Sequence, residues 1–88
     1  MRFTFLGPLR RIAGTPSLAL ALDRPRPLRD LVGPLSKTLG SLLPYGFGST
    51  DVQILANLSF FRDNRAVGLD EQIETDDTVQ VVLPATGG

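Results

Sequence analysis

Polar and apolar residues alternate from the start of the chain. In the stretch 2–6, RFTFL, Phe3 and Phe5 fall on one side and Arg2 and Thr4 on the other, the period of a strand with one buried face. GPLRRIAG follows, bounded by Gly7-Pro8 and Gly14, and reads as a connection with room for about one helical turn. SLALALD, residues 17–23, alternates again. Leu18, Leu20 and Leu22 point one way and Ala19 and Ala21 the other. Leucine and alanine are poor strand formers, but the strict period, framed by Pro16 and Pro25, predicts a strand.

The period then changes. In RPLRDLVGPLSKTLGSLL, residues 26–43, the positions Leu28, Leu31, Val32, Leu35, Leu39, Leu42 and Leu43 make one apolar stripe at helical spacing. Pro27 suits a first helical turn. Gly33-Pro34 does not suit a helix interior, where proline loses a hydrogen bond and crowds the carbonyl of Asp30 at a cost of about 3 kcal/mol. The expectation is a kink, or a short helix ending near Val32 with a new turn from Pro34.

LPYGFGST, residues 43–50, reads as a loop in which Tyr45 and Phe47 either fold down over the core or mark a binding loop. DVQILANLSFFRDN, residues 51–64, is the clearest strand. Val52, Ile54, Ala56, Leu58 and Phe60 form its inner row; Gln53, Asn57 and Ser59 face out, together with two apolar residues, Leu55 and Phe61. Asp63-Asn64 suits a two-residue hairpin turn, because both residues tolerate a left-handed backbone. RAVGLDEQI returns as a short strand and loop, ETDDT is a polar turn, and VQVVL is the last strand, with Val79, Val81 and Leu83 inward and Gln80 outward. Pro84 cannot donate to a ladder, so pairing should fade there. The order β–β–α–β–β–β, with one helix stripe facing one sheet face, is a two-layer α+β arrangement.

Composition narrows the chemistry. Eighty-eight residues make one domain, and nine basic residues balance nine acidic ones, giving no net-charge signal for nucleic acid or an anionic membrane. Arg24, Arg26 and Arg29 cluster, and read as a solvated face or a patch for an acidic partner. The chain has no cysteine and no histidine, which removes thiol chemistry, most zinc sites and most nucleophile–base pairs. Ser–Lys catalysis would fall to Lys37, whose neighbourhood reads as a helix surface. Asp76-Asp77 and Asp70-Glu71 are adjacent carboxylates expected to be solvated, with nothing to drive their pKa values apart for acid–base work. An enzyme in its own right is not expected. No stretch at the N-terminus is long and apolar enough for a signal or a membrane span, so a cytoplasmic location is expected.

The remaining signal is VVLPATGG, residues 81–88. The expected organisation is a domain over 1–84 and a flexible tail over 85–88. Residues without bulky side chains can enter a narrow channel in another protein, and glycine removes the Cβ that would crowd attack at a terminal carbonyl. An α-carboxylate on Gly88 is ionised at neutral pH and can attack the α-phosphate of ATP. The acyl-adenylate so formed can be taken by sulfide, a persulfide, a thiol or an amine. The chain would be the substrate of this chemistry.

FTFLGPLRRIAG, Phe3–Gly14, resembles the opening strand and following stretch of the small subunit of molybdopterin synthase, MoaD. RPLRDLVGPL is similar to that family's first helix, and IETDDTVQVVLPATGG, Ile73–Gly88, to its closing turn, strand, proline and diglycine. The thiamine-biosynthesis carrier ThiS shares the ending. The resemblance implies a β-grasp, or ubiquitin-like, fold with a mixed sheet of four to five strands and one main helix on one face. It implies a sulfur carrier: an E1-like adenylating enzyme activates the Gly88 carboxylate with ATP, and a sulfur donor converts it to a thiocarboxylate. Sulfur is then donated in cofactor biosynthesis, molybdopterin first, in partnership with a synthase large subunit or another acceptor. Gly87 would give clearance in the partners' channels, and Pro84, Ala85 and Thr86 would be enclosed by the partner. No cofactor would be bound, ATP being used by the activating enzyme. The family's turn asparagine matches Asn64 by spacing, and Asn57 second.

Other readings remain open at this point. A thiamine or other-metabolite carrier would use the same tail. A ubiquitin-like modifier would use the same activation and then form an isopeptide bond to lysine. A non-covalent interaction module would rely on an exposed patch at Leu55 and Phe61, since exposed large apolar groups mark partner sites. That patch would serve a carrier as a docking surface too.

Overall fold

A computed structural model of the chain describes residues 1–39 and 58–83, the side chains of 36, 38 and 39 excepted. Strand β1, Arg2–Phe5, shows the alternation its sequence predicts: Phe3 and Phe5 are fully buried, Arg2 exposed and Thr4 half-buried. It pairs antiparallel with β2, Ser17–Ala19, placing Phe3 opposite Leu18. The alternation of SLALALD is observed, with Leu18, Leu20 and Leu22 half-buried against the core and Ala19 and Ala21 exposed, but regular pairing stops after three residues.

Between them lies more than the single turn expected. Helix α1, Pro8–Ala13, buries Leu9 completely and closes on Gly14, whose left-handed backbone lets its N–H reach the Arg10 carbonyl at 3.0 Å. Gly7 enters α1 at φ 58° and ψ −138°, a region that L-residues avoid. Nothing lies within 4 Å of where a Cβ would sit, so the requirement is for the backbone angle and not for space. Gly7→Ala is expected to cost about 1–3 kcal/mol in a urea titration; an unchanged midpoint would show that the backbone relaxes freely there.

A two-residue strand β3, Arg26–Pro27, leads into a 3-10 turn, Leu28–Leu31, and then into helix α2, Val32–Leu39. Pro27 therefore precedes the helical segment in an extended conformation and does not occupy its first turn. The break expected near Val32 is a change from 3-10 to α-helix at that residue. The change puts Pro34 in the first turn of α2, where a missing N–H leaves no bond unmade. Leu28, Leu31, Val32 and Leu35 are buried, as the stripe predicts. The side chain of Leu39, and Leu42 and Leu43, lie outside the described residues, as do Tyr45, Phe47 and the first half of the 51–64 stretch.

The described part of that stretch is β4, Ser59–Arg62, with Leu58 and Phe60 buried. Asp63 and Asn64 follow at φ 53° and 64°, the positive pair a two-residue primed turn demands, and β5, Arg65–Ala66, returns. A further short strand that the sequence did not announce, β6, Gln72–Ile73, pairs with β3. The last, β7, Thr78–Val82, buries Val79 and Val81 completely and stops before Pro84.

The main sheet has the order β2-β1-β7-β4-β5, with β7 parallel to β1 and antiparallel to β4. One core lies between it and the helical segment, and Phe3 and Phe60 meet there at 6.3 Å between ring centroids. No polar or charged residue is buried among the described residues. A mixed five-stranded sheet with its main helix on one face is the α+β architecture the sequence predicts.

Candidate functional site: the outer sheet face where the last strand ends

β7 lies between β1 and β4, so its backbone is held on both sides up to Val82. Leu83 is half-buried and still packs against the core. Residues 84–88 lie outside the described residues, and with them Pro84, Ala85, Thr86, Gly87 and Gly88; Leu55 and Asn57 lie outside them too. Asn64 is the second residue of the β4–β5 turn, at the end of the sheet away from Val82, where it serves the backbone geometry.

Phe61 is described, and it is where strand alternation puts it, on the outer face with Phe60 beneath it on the inner one. Its ring is half-buried and stands apart from the core cluster. It lies opposite Gln80 of β7 and Ala66 of β5, with Thr4 of β1 beyond Gln80. In the next row Val82 faces Ser59. The Leu6 N–H donates to the Val81 carbonyl at 3.1 Å, so the β1–β7 register continues past Phe5 and sets Leu6 level with Val82. Leu6, Val82 and Phe61 are three half-buried apolar side chains outside the core, all close to the end of β7. An open hollow of about 320 Å³ beside Phe61 runs along the β4–β5 edge, lined also by Leu58, Ala66 and Val67. Leu6 and Val82 were missed as site residues, although continuing the same period-two count assigns both to the outer face.

The charged candidates resolve differently. Arg26 lies 3.8 Å from Asp23 and 3.9 Å from Asp30, and Arg29 pairs with Asp70 at 2.6 Å, so the arginine cluster is largely neutralised within the chain. Arg24 is exposed. Lys37 is exposed on α2. Of the two carboxylate pairs, Asp70 and Asp76 are exposed as expected, whereas Glu71 and Asp77 are partly buried against Arg62. Arg62, only 17% exposed, donates to the Gln72 carbonyl at 2.9 Å and to Asp77 Oδ2 at 2.8 Å, and its other nitrogen pairs with Glu71 at 2.6 Å. Asp77 also accepts the Glu74 N–H at 2.7 Å. The reason is that β4 delivers Arg62 to the open side of the 71–77 loop, where backbone and carboxylate acceptors converge. These groups pin a loop and leave no acid–base pair. Among the described residues no group of acidic residues is arranged to hold a metal ion, and no helix is long and apolar enough to cross a membrane.

No protein-family model matches the chain, and no curated protein matches it in sequence. Solved structures do. SAMP1 from Haloferax volcanii superposes with a TM-score of 0.76 at 19% identity, over 100% of this chain and 98% of that one. The H. volcanii small archaeal modifier protein 1 gives 0.76 at 20%, over 97% of each chain. A Pyrococcus furiosus protein assigned as subunit 1 of the molybdopterin converting factor gives 0.70 at 22%, over 96% and 95%. With β7 central, β1 parallel to it and the helix on one face, the chain has the β-grasp fold of the small archaeal modifier and of the molybdopterin converting factor subunit.

Proposed function

We propose that the chain is a sulfur carrier, with residues 85–88 working as a tail that delivers Gly88 to partner enzymes. The observation that carries this reading is the place of the diglycine. Its second glycine stands five residues beyond Leu83, which packs against the core just after a strand bonded on both sides. Five residues of extended chain span at most about 17 Å, enough to take Gly88 clear of the domain and into a channel. The fold shared with a molybdopterin converting factor subunit supports it. In the first step the Gly88 carboxylate attacks the α-phosphate of ATP on an E1-like enzyme, giving an acyl-adenylate and releasing pyrophosphate. Hydrosulfide then displaces AMP and leaves a thiocarboxylate, or a persulfide displaces AMP to give an acyl disulfide, which a second thiol cleaves to the thiocarboxylate while forming a disulfide with the donor. Molybdopterin synthesis is the first destination for the sulfur, and thiamine or another metabolite the next. The chain itself acts as co-substrate, and Phe61 with its outer-face neighbours docks the partners.

Incubation with ATP, sulfide and the cognate adenylating enzyme should raise the intact mass by the difference between a sulfur and an oxygen atom. Deleting Gly88 should abolish the change. An unmodified chain beside an enzyme that loads other carriers would sink the proposal. A second reading is favoured by the likeness to the small archaeal modifier: the same acyl-adenylate passes to lysine amines. Gly-Gly remnants on lysines of other proteins would decide for it.

A further inference from the structure

The balance of nine basic and nine acidic residues conceals a separation of charge. β1 and β7 run parallel, so both end at the same edge of the sheet, and α1 begins there, directly after Leu6. That edge carries Arg10 and Arg11 in the last turn of α1. Both are exposed, and neither makes a side-chain hydrogen bond or ion pair with any described residue. Lys37 is exposed on α2, which packs against α1. The carboxylates of the described residues lie at the other end. Segment 63–77 borders the start of β7, where the Asp77 carbonyl accepts the Arg2 N–H and Thr75 meets Met1. Asp23 and Asp30 flank β3, whose partner β6 belongs to the same end. Three of these carboxylates are already paired with Arg29 and Arg62.

Among the described residues, the end of the sheet at which β7 stops is thus cationic, and beside it are the apolar side chains of Leu6 and Val82. An open hollow of about 580 Å³ lies against α1 there, bordered by Gly7, Pro8, Arg10 and Arg11. We infer that Arg10 and Arg11 recognise an acidic rim around the mouth of the channel that receives the tail, and orient the chain so that its tail end arrives first. This rests on the reading that an activating enzyme takes up Gly88, and it gives that enzyme's docking rim a chemistry. Clustered like charges act over about 10 Å at ordinary ionic strength, so they bias the approach before any contact forms.

The test is stopped-flow association of the full chain with its adenylating enzyme at low and high salt. R10E/R11E should slow association about tenfold at low salt and flatten the salt dependence. R24E/R65E makes the same change in net charge with two exposed arginines at the opposite end and should alter the rate by less than about twofold. Equal slowing by both pairs, or by neither, overturns the inference. So does a raised KM for ATP with an unchanged association rate, which would assign the arginines to the nucleotide. If R10E/R11E does not fold, R10A/R11A should show about half the effect on a logarithmic scale. A surface bearing an immobilised Glu-Gly repeat peptide separates the two proposals. Retention of the wild type but not of R10E/R11E upholds the inference even if Gly88 is never activated. Normal sulfur loading with no effect of R10E/R11E on rate or retention removes the inference and leaves the carrier.

Discussion

Phe60→Ala is expected to lower stability by about 3–5 kcal/mol, the range for deleting a fully enclosed aromatic side chain. Phe60 is 2% exposed, lies opposite Val81 on the central strand and meets Phe3 over that strand on the same inner face of the sheet. Its removal loses transfer free energy and leaves a cavity between two strands and the helix, and the backbone ladder on both sides of β7 prevents collapse. A domain of this size is stable by about 4–13 kcal/mol, so the variant should be partly unfolded at 37 °C. Urea titration followed by circular dichroism reads the change. A loss below about 1 kcal/mol would mean that the side chain is not enclosed as described.

Phe61→Ala, one residue on, should behave in the opposite way. The ring is on the outer face, half-buried and outside the core cluster, so stability should change by less than about 1 kcal/mol. Binding to the adenylating enzyme should weaken by about 10- to 100-fold, the loss typical of an aromatic anchor at the centre of an interface. Leu6 and Val82 on one side extend the apolar surface around such an anchor, and the open hollow along β4–β5 on the other leaves room for a partner's side chain. Titration calorimetry on the two variants gives the contrast. Unchanged affinity in Phe61→Ala would remove the outer face from the docking surface while leaving the tail chemistry intact.

Alternation over 2–6, 17–23, 58–62 and 79–83 was enough to place four strands of the main sheet and to separate Phe60 from Phe61, because a period of two assigns faces without knowledge of pairing. A break near Val32 was legible in Gly33-Pro34, since proline fits only where no N–H is required, but its form, a change from 3-10 to α-helix, was not. Three things were not legible. α1 carries one apolar residue that is fully buried, Leu9, too few to make a stripe, and Gly7 sets its entry through a backbone angle that a residue count cannot show. β3 and β6 are two residues each and arise from tertiary contact, so no local period announces them. The roles of Glu71 and Asp77 depend on Arg62, which approaches from another strand. Of the candidate site, Phe61 was read correctly to its face. The same count assigns Leu6 and Val82 to that face, but bringing them level with each other required the register between first and last strands, and so did the charge separation along the sheet.

The parallel pairing of β1 with β7 also sets an order in time. Arg2 through Phe5 find their neighbours in Thr78 through Val81, nearly the whole chain later. The middle of the sheet therefore closes through the longest loop available, the kind of contact that makes folding slow and late. Phe3 and Phe5 have no complete cover while residues 78–82 are still being synthesised. A chain that stops before residue 78 lacks the strand that joins β1 to β4, so it cannot complete its sheet, and Phe3 and Phe5 stay without their cover.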